Sequence, residues 1–136
     1  MYLLDTDILS NLMKRSPSSA LVAKVAQVPP EQQFTSSITL GELVYGAHRL
    51  RERTATFMQK VEDLLLPNLP VLPFDAAAAR RYGELRAELE RRGVPIGDAD
   101  MRIAAIALAH DLKVVTGNER HFQRVSELEI ENWLER

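Results

Sequence analysis

The chain has 136 residues, of which 46% are hydrophobic and 26% are charged, and its formal net charge is −2. This size and composition predict one folded domain spanning residues 1–136, and the near-neutral charge gives no sign of a nucleic-acid binder. The absence of cysteine excludes a disulfide framework and a zinc–thiolate site, and with no signal-like or membrane-spanning segment we expect a soluble cytoplasmic protein.

The first half of the chain alternates short apolar runs with helical patterns. Strands are predicted where the run is short and ends in polar residues, and helices where apolar residues recur every three or four positions. Capping oxygens and prolines set the helix limits. The predicted elements are a strand at Tyr2–Leu4, a helix at Ile8–Lys14, a helix from Ser18 or Ser19 to Gln27, a strand at Gln33–Ser36, a helix beginning near Ser37 that carries Leu40, Leu43, Val44 and Ala47, and a helix at Glu52–Leu65 with Phe57, Val61, Leu64 and Leu65 on one side.

The second half continues the same alternation. Its predicted elements are a strand at Val71–Leu72, a helix at Ala76–Arg92 capped by Asp75 and ended by Gly93, a helix at Ala99–His110, a strand at Lys113–Thr116, a short helix at Glu119–Val125 and a strand at Leu128–Ile130. Alternating strands and helices predict a three-layer α/β/α sandwich with a mainly parallel central sheet. Functional residues in such a sheet lie at the carboxyl ends of strands, so Asp5 and Thr116 are expected to face one crevice.

Four acidic residues stand at the ends of separate apolar segments. Asp5 follows the first strand, Glu42 lies early in the third helix, and Asp98 and Asp100 open the helix Ala99–His110. Converged carboxylates repel one another unless a cation holds them together. The pattern therefore predicts a divalent-metal site built from oxygen ligands. Taken singly, each acid also has a structural explanation as a helix cap, a solvated helical residue or a favourable charge at a helix start.

Polar residues that can assist such a site follow the fourth predicted strand. Thr116 and Asn118 can donate hydrogen bonds or orient a water, and Glu119 or His121 could reach the metal. Arginine is locally dense, and such runs are more often a solvated helix face than a phosphate track. The arginines that would hold phosphates beside the crevice are Arg49, Arg51 and Arg102.

Segments along almost the whole chain resemble PIN-domain ribonucleases, specifically the VapC-type toxins of toxin–antitoxin pairs. Each segment is moderately specific, and their order and spacing together are hard to obtain by accident. The segments are Leu3–Leu9 (LLDTDIL), Ser37–Ala47 (SITLGELVYGA), Ile96–Ala105 (IGDADMRIAA), Val114–Asn118 (VVTGN) and Ile130–Trp133 (IENW).

The resemblance implies catalysis by Asp5, Glu42 and Asp100, which would hold Mg²⁺ or Mn²⁺, with Asp98 as a weaker candidate ligand. It implies hydrolysis of phosphodiester bonds in a structured RNA, tRNA or rRNA, by a water activated at the metal and oriented by a carboxylate. Translation and growth would then be inhibited. The partner implied is a cognate antitoxin, which silences a homodimer within a heterotetramer or a larger complex.

Two positions depart from the pattern of this family. Asp7 stands where the family commonly has asparagine, and it adds negative charge near the metal. His121 stands where a fourth acid is expected, so either Glu119 substitutes for that acid or a second metal position is weaker.

Two other functions remain open at the level of sequence. The segment Leu3–Asp7 also resembles the start of a haloacid-dehalogenase-type phosphatase, although those enzymes place a strand-ending Thr or Ser before the late acidic motif, whereas Thr116 follows it here. The chain could instead be a catalytically silent protein-binding module whose acids only cap helices. Metal-dependent RNA cleavage would separate that module from a nuclease.

Overall fold

A five-stranded parallel sheet forms the centre of the protein, for which the computed structural model describes residues 1–134. The strands are β1 (Tyr2–Leu4), β2 (Gln33–Ser36), β3 (Val71–Leu72), β4 (Lys113–Val115) and β5 (Ile130–Glu131). Their order is β3-β2-β1-β4-β5, and every pair is parallel. The chain extends the sheet from β1 first on one side and then on the other. The topological switch point therefore lies between β1 and β4, where such sheets place their sites.

Helices cover both faces of this sheet. They are α1 (Thr6–Leu12), α2 (Ser19–Gln27), α3 (Ser37–Arg49), α4 (Thr54–Lys60), α5 (Ala76–Arg92), α6 (Asp98–Ala109) and α7 (Glu119–Phe122). Single turns of 3₁₀ helix lie at 30–32, 51–53 and 66–68, and a π-helical segment spans Val61–Leu65. Within residues 1–134, no helix is both long and apolar enough to cross a membrane.

Two apolar cores, one on each face of the sheet, give the molecule its three layers. Successive side chains of a strand point to opposite faces. Leu3 and Val114 accordingly pack in one core with α5 and α6, whereas Leu4 and Val115 pack in the other with α1 and α2. The three-layer α/β/α architecture predicted from the alternation of strands and helices is therefore confirmed.

The predicted helix over Glu52–Leu65 is wrong in both continuity and orientation. The structure has a 3₁₀ turn, then α4, then the π-helical segment. A π turn holds an extra residue, which changes the face that the following side chains present. Val61 and Leu65 are buried as a result, while Leu64 is 66% exposed instead of sharing their face.

Helix α5 ends where its glycine predicts. Gly93 has a φ of 69° and its N–H bonds to the carbonyls of Leu89 and Glu90, a left-handed C-terminal cap. We expect Gly93→Ala to lower the free energy of unfolding by about 1 kcal/mol, because a Cβ disfavours positive φ. Gly83→Ala, in the interior of α5 with no atom within 4 Å of the added Cβ, should instead raise it by about 0.5–1 kcal/mol. Urea unfolding of both variants checks the opposite signs, and two equal changes would contradict this assignment.

Candidate active site

A cleft of about 560 Å³ opens at the carboxyl ends of β1 and β4. Four carboxylates from three helix starts line it: Asp5, Asp7, Glu42 and Asp100. Asp5 follows β1, Glu42 lies in the second turn of α3, and Asp100 lies in the first turn of α6. The structure thus brings together the three acids predicted as catalytic residues, at the switch point of the sheet.

Asp5 is the most deeply buried of these acids, with 5% of its surface exposed. Its Oδ1 accepts a hydrogen bond from the Thr6 N–H at 2.7 Å, and its Oδ2 accepts one from Thr116 Oγ1 at 2.8 Å. Burial and the nearby charges of Asp7 and Asp100 raise the pKa of Asp5 to about 7. Asp5 is therefore both the cap of α1 and a residue of the cleft.

Glu42 is exposed, and its carboxylate accepts a hydrogen bond from the side chain of Thr6. The Thr6 hydroxyl donates to Glu42 Oε1, and it also lies 3.1 Å from the hydroxyl of Thr39, which is fully buried. Thr6 therefore links the end of β1 to α3. Nothing in the sequence indicated this contact, because the position of Thr6 beside α3 follows from the tertiary fold.

Asp100 is contacted by the segment that follows β4. His121 Nδ1 lies 3.2 Å from Asp100 Oδ2, and Asn118 Nδ2 lies 3.5 Å from the same oxygen. The two contacting side chains also meet, with 3.0 Å between Asn118 Nδ2 and His121 Nδ1. The Asn118 N–H donates to Thr116 Oγ1 at 2.9 Å, which ties this segment back to Asp5 through Thr116.

Asp7 braces α1 against the loop after β4. Its Oδ2 accepts a hydrogen bond from the Gly117 N–H at 2.9 Å. Its Oδ1 is buried and has no hydrogen-bond partner among residues 1–134. Burial is the largest cause of the raised pKa of Asp7. The sequence indicated only added charge at this position, whereas the structure also gives Asp7 a bracing contact.

Gly117 leaves no room for a side chain at this brace. A Cβ there would lie 2.8 Å from both Asp7 Oδ2 and Leu134 Cδ1. We expect Gly117→Ala to lower the free energy of unfolding by about 1–2 kcal/mol, because the Asp7 carboxylate must move and its hydrogen bond weakens. Thermal unfolding measures the loss. Gly46→Ala in α3, where no atom lies within 4 Å of the added Cβ, is the matched control. Equal stability of both variants would show that the Asp7 carboxylate can move aside without lowering the free energy of unfolding.

Asp98 lies outside the cleft, contrary to its place among the predicted metal ligands. Its carboxylate accepts hydrogen bonds from Tyr82 OH and from Arg102 Nε, the latter at 2.7 Å, and its side chain is 54% exposed. The hydrogen bonds from Tyr82 and Arg102 lower the pKa of Asp98. Helix α6 begins at Asp98, one residue before the predicted start at Ala99, and Gly97 occupies the capping position.

The three arginines predicted to hold phosphates do not line the cleft either. Arg102 packs over the rings of Phe74 and Tyr82, at 5.2 and 5.1 Å from their centroids, and so belongs to the Asp98 cluster. Arg49 lies over the ring of Tyr45, and Arg51 occupies a turn with a φ of 55°.

Two further residues have places that the sequence did not predict. Glu119 accepts a hydrogen bond from Asn132 Nδ2 at 3.0 Å, so this acid contacts the C-terminal segment. Lys14 lines the cleft together with Ser10 and Asn11. Ser10 and Asn11 follow Asp7 by three and four residues and so share its face of α1, and Lys14 follows that face three residues after Asn11, which is the signal that could have placed Lys14 there.

The donor set of the cleft fits a hard divalent cation. Its ligand atoms are carboxylate oxygens, burial raises the pKa of both Asp5 and Asp7, and Asp7 Oδ1 has no hydrogen-bond partner among residues 1–134, so a cation would stabilise the charged forms of these acids. In the described part of the chain, no three acid or histidine side chains are close enough to hold one ion together. Magnesium commonly takes only one or two protein carboxylates and keeps several waters, so the arrangement suits a partly hydrated ion.

Comparison with known proteins agrees with this architecture. The family model described as PIN domain matches residues 2–128. The tRNA(fMet)-specific endonuclease VapC of Shigella flexneri is 37% identical over 134 residues, covering 97% of each chain. Among solved structures, FitAcB from Neisseria gonorrhoeae superposes with a TM-score of 0.91 at 29% identity, covering 100% of each chain. DNA-bound VapBC from Salmonella typhimurium gives a TM-score of 0.88 at 36% identity, covering 97% of each chain. This chain therefore belongs to the PIN-domain family, in its VapC group.

Proposed function

We propose that this protein is the ribonuclease toxin of a toxin–antitoxin pair, a metal-dependent endonuclease that hydrolyses phosphodiester bonds of a structured RNA. The observation that carries the proposal is the convergence of Asp5, Glu42 and Asp100 at one cleft. Membership of the VapC group supports the choice of a nuclease over a haloacid-dehalogenase-type phosphatase.

The substrate we propose is tRNA. The relative from Shigella flexneri is named a tRNA(fMet)-specific endonuclease, and it matches this chain over 97% of its length. Cleavage of tRNA would inhibit translation and growth, and it implies a cytoplasmic protein. Lys14 at the cleft is placed to contact an RNA phosphate, because a flexible ammonium group binds phosphate as a point charge.

The metal would be Mg²⁺ or Mn²⁺, held by Asp5 and Asp100 with Glu42 nearby. When bound, such an ion acts as a Lewis acid that activates water and neutralises charge on phosphate oxygens. The protein's part is orientation. Thr6 and Thr116 fix both oxygens of Asp5, and Thr6 holds Glu42, which as the more exposed acid is placed to orient the attacking water. Attack on phosphorus breaks one P–O ester bond and leaves one fragment with a phosphate and the other with a hydroxyl group.

The partner we propose is an antitoxin protein that covers the cleft. The likeness to the VapBC structure from Salmonella typhimurium supports such a pairing. A homodimer, assembled with antitoxin into a heterotetramer or a larger complex, is the assembly we propose.

Incubation of purified, antitoxin-free protein with tRNA and with rRNA tests the function. We expect cleavage of tRNA with Mg²⁺ or Mn²⁺, none with a chelator, and none by Asp100→Asn under any condition. Asp63→Asn, which removes an exposed acid from the π-helical segment, is the matched control and should cleave normally. Metal-independent cleavage would overturn the metal site. Absence of cleavage by well-folded protein would favour the protein-binding module.

A further inference from the structure

A second, smaller cavity of about 90 Å³ lies on one face of α4. Its lining residues are Leu50, Arg53, Thr56, Phe57 and Lys60. Thr56, Phe57 and Lys60 follow Arg53 by three, four and seven residues, the spacing that places side chains on one face of a helix. Two cations, a hydroxyl group and an aromatic ring therefore meet at one cavity.

The two cations of this cavity are not paired with acids. Among residues 1–134, neither Arg53 nor Lys60 forms an ion pair with a carboxylate, and Lys14 of the cleft forms none either. By contrast, four arginines of α5 and α6 pair with acids of their own helix: Arg81, Arg86, Arg91 and Arg102. Unpaired positive charge is therefore concentrated near α4, although the whole chain has a net charge of −2.

The cavity is joined to the cleft through the end of α1. Lys60 Nζ donates a hydrogen bond to the carbonyl of Met13 at 3.3 Å, and Lys14, the next residue, lines the cleft beside Glu42. An ammonium group has three N–H donors, so this bond holds the Lys60 side chain in place and leaves donors for a further acceptor. Unpaired cations thus extend from α4 to the edge of the cleft.

An RNA substrate needs such cations, because the carboxylates of the cleft repel its phosphates. Phosphate contacts position a nucleic acid on a protein, and Arg, Lys and Thr side chains commonly make them. We propose that Arg53, Thr56 and Lys60 form a phosphate-binding notch which, together with Lys14, holds the backbone of the RNA where it leaves the cleft. The inference rests on the proposed function, because it names the surface that would bind the same substrate.

Lys60 also has a structural explanation, which a measurement can separate from a phosphate contact. Met13 is the capping residue of α1, and a cation at the C-terminus of a helix stabilises the fold. That role affects thermal unfolding. A phosphate contact affects the salt dependence of RNA binding instead, because each contact releases condensed counterions. The logarithm of the binding constant then falls with the logarithm of the salt concentration by about 0.7–0.9 per contact.

Binding of unfractionated tRNA by the full chain at increasing KCl concentration tests the notch. Asp100→Asn and a chelator prevent cleavage and keep Mg²⁺ from competing for phosphates. In this background we expect Arg53→Gln and Lys60→Gln each to lower the tRNA affinity about tenfold and the salt slope by about 1. Arg53→Lys keeps the charge and should keep the slope. Arg91→Gln, which removes a cation paired with Glu88, is the matched control and should leave the slope unchanged.

The outcomes separate this inference from the proposed function. Unchanged slopes in Arg53→Gln and Lys60→Gln, with tRNA cleaved by the wild type, would overturn the notch and leave the nuclease standing. Lower affinity at an unchanged slope, with earlier thermal unfolding, would assign Lys60 the structural role and also overturn the notch. If both variants lose affinity for an oligoglutamate peptide and not for tRNA, the cavity is a protein contact. Reduced slopes beside a wild type that cleaves no RNA would support the notch and overturn the nuclease.

Discussion

Asp5→Asn is expected to reduce RNA cleavage by at least about a hundredfold, the scale on which loss of one charge-stabilising group slows such reactions. The change is nearly isosteric, and the new amide oxygen can still accept from the Thr6 N–H. What disappears is a negative charge at the buried end of β1, where a carboxylate would bind the cation. The loss should therefore fall on metal binding and on catalysis, with the fold retained.

The same substitution should stabilise the metal-free protein, and this opposite effect makes the test specific. Above about pH 7, Asp5 is charged in a buried position near the charges of Asp7 and Asp100. Removing its charge relieves that repulsion. Single-turnover cleavage and thermal unfolding of the same preparation measure both effects, with Asp63→Asn as the matched change of charge. Retained cleavage by Asp5→Asn would remove Asp5 from the site.

The stability of the metal-free protein should fall as the pH rises. The pKa of Asp5 is about 7 in the folded protein against an ordinary value of 3.8, so the folded state holds the proton more tightly than the unfolded state. For a raised pKa, the stabilising contribution is fully present below about pH 4 and is lost as the pH rises through about 7. A shift of this size corresponds to at most about 4 kcal/mol across that window.

Urea unfolding at about pH 5 and about pH 8 in the presence of a chelator measures this dependence. The difference between wild type and Asp5→Asn isolates the contribution of Asp5 from those of the other acids, and Asp5→Asn should show the flatter profile. Magnesium added at about pH 8 should restore stability to the wild type, because a ligand that binds only the folded state stabilises it. A wild-type profile as flat as that of Asp5→Asn would contradict the raised pKa.

Local chemistry explains why much of the fold was predictable. Helix α5 lies between a capping Asp75 and a terminating Gly93, and both signals act through neighbouring backbone. The predicted strands at Gln33–Ser36 and Val71–Leu72 also have the same bounds in the structure. The π-helical segment was missed because no residue type signals the extra residue of a π turn.

Part of the site was also predictable from the sequence, and part depends on tertiary contacts that the sequence does not reveal. That Asp5 and Thr116 would meet follows from strand order, and the structure joins them by a hydrogen bond of 2.8 Å. The direction of Asp98 was not predictable, because Tyr82 of α5 and Arg102 of α6 turn it away from the cleft. The three arginines were likewise predicted to lie beside the cleft from their positions along the chain. Those positions do not reveal the aromatic rings that Arg102 covers.

The position of β1 in the sheet determines when the site can exist during synthesis. This strand is made first, yet it lies between β2 and β4, and Asp5 is bonded to a threonine that lies 111 residues later in the chain. While β4 is still inside the ribosome, β1 cannot pair with it. Asp5 Oδ2 then also lacks the hydrogen bond from the Thr116 hydroxyl group. Because folding follows the order of synthesis, the site can be assembled only after β4 and Thr116 have been made. A protein proposed to cut tRNA thus cannot complete its cleft until the ribosome has translated the segment through Thr116.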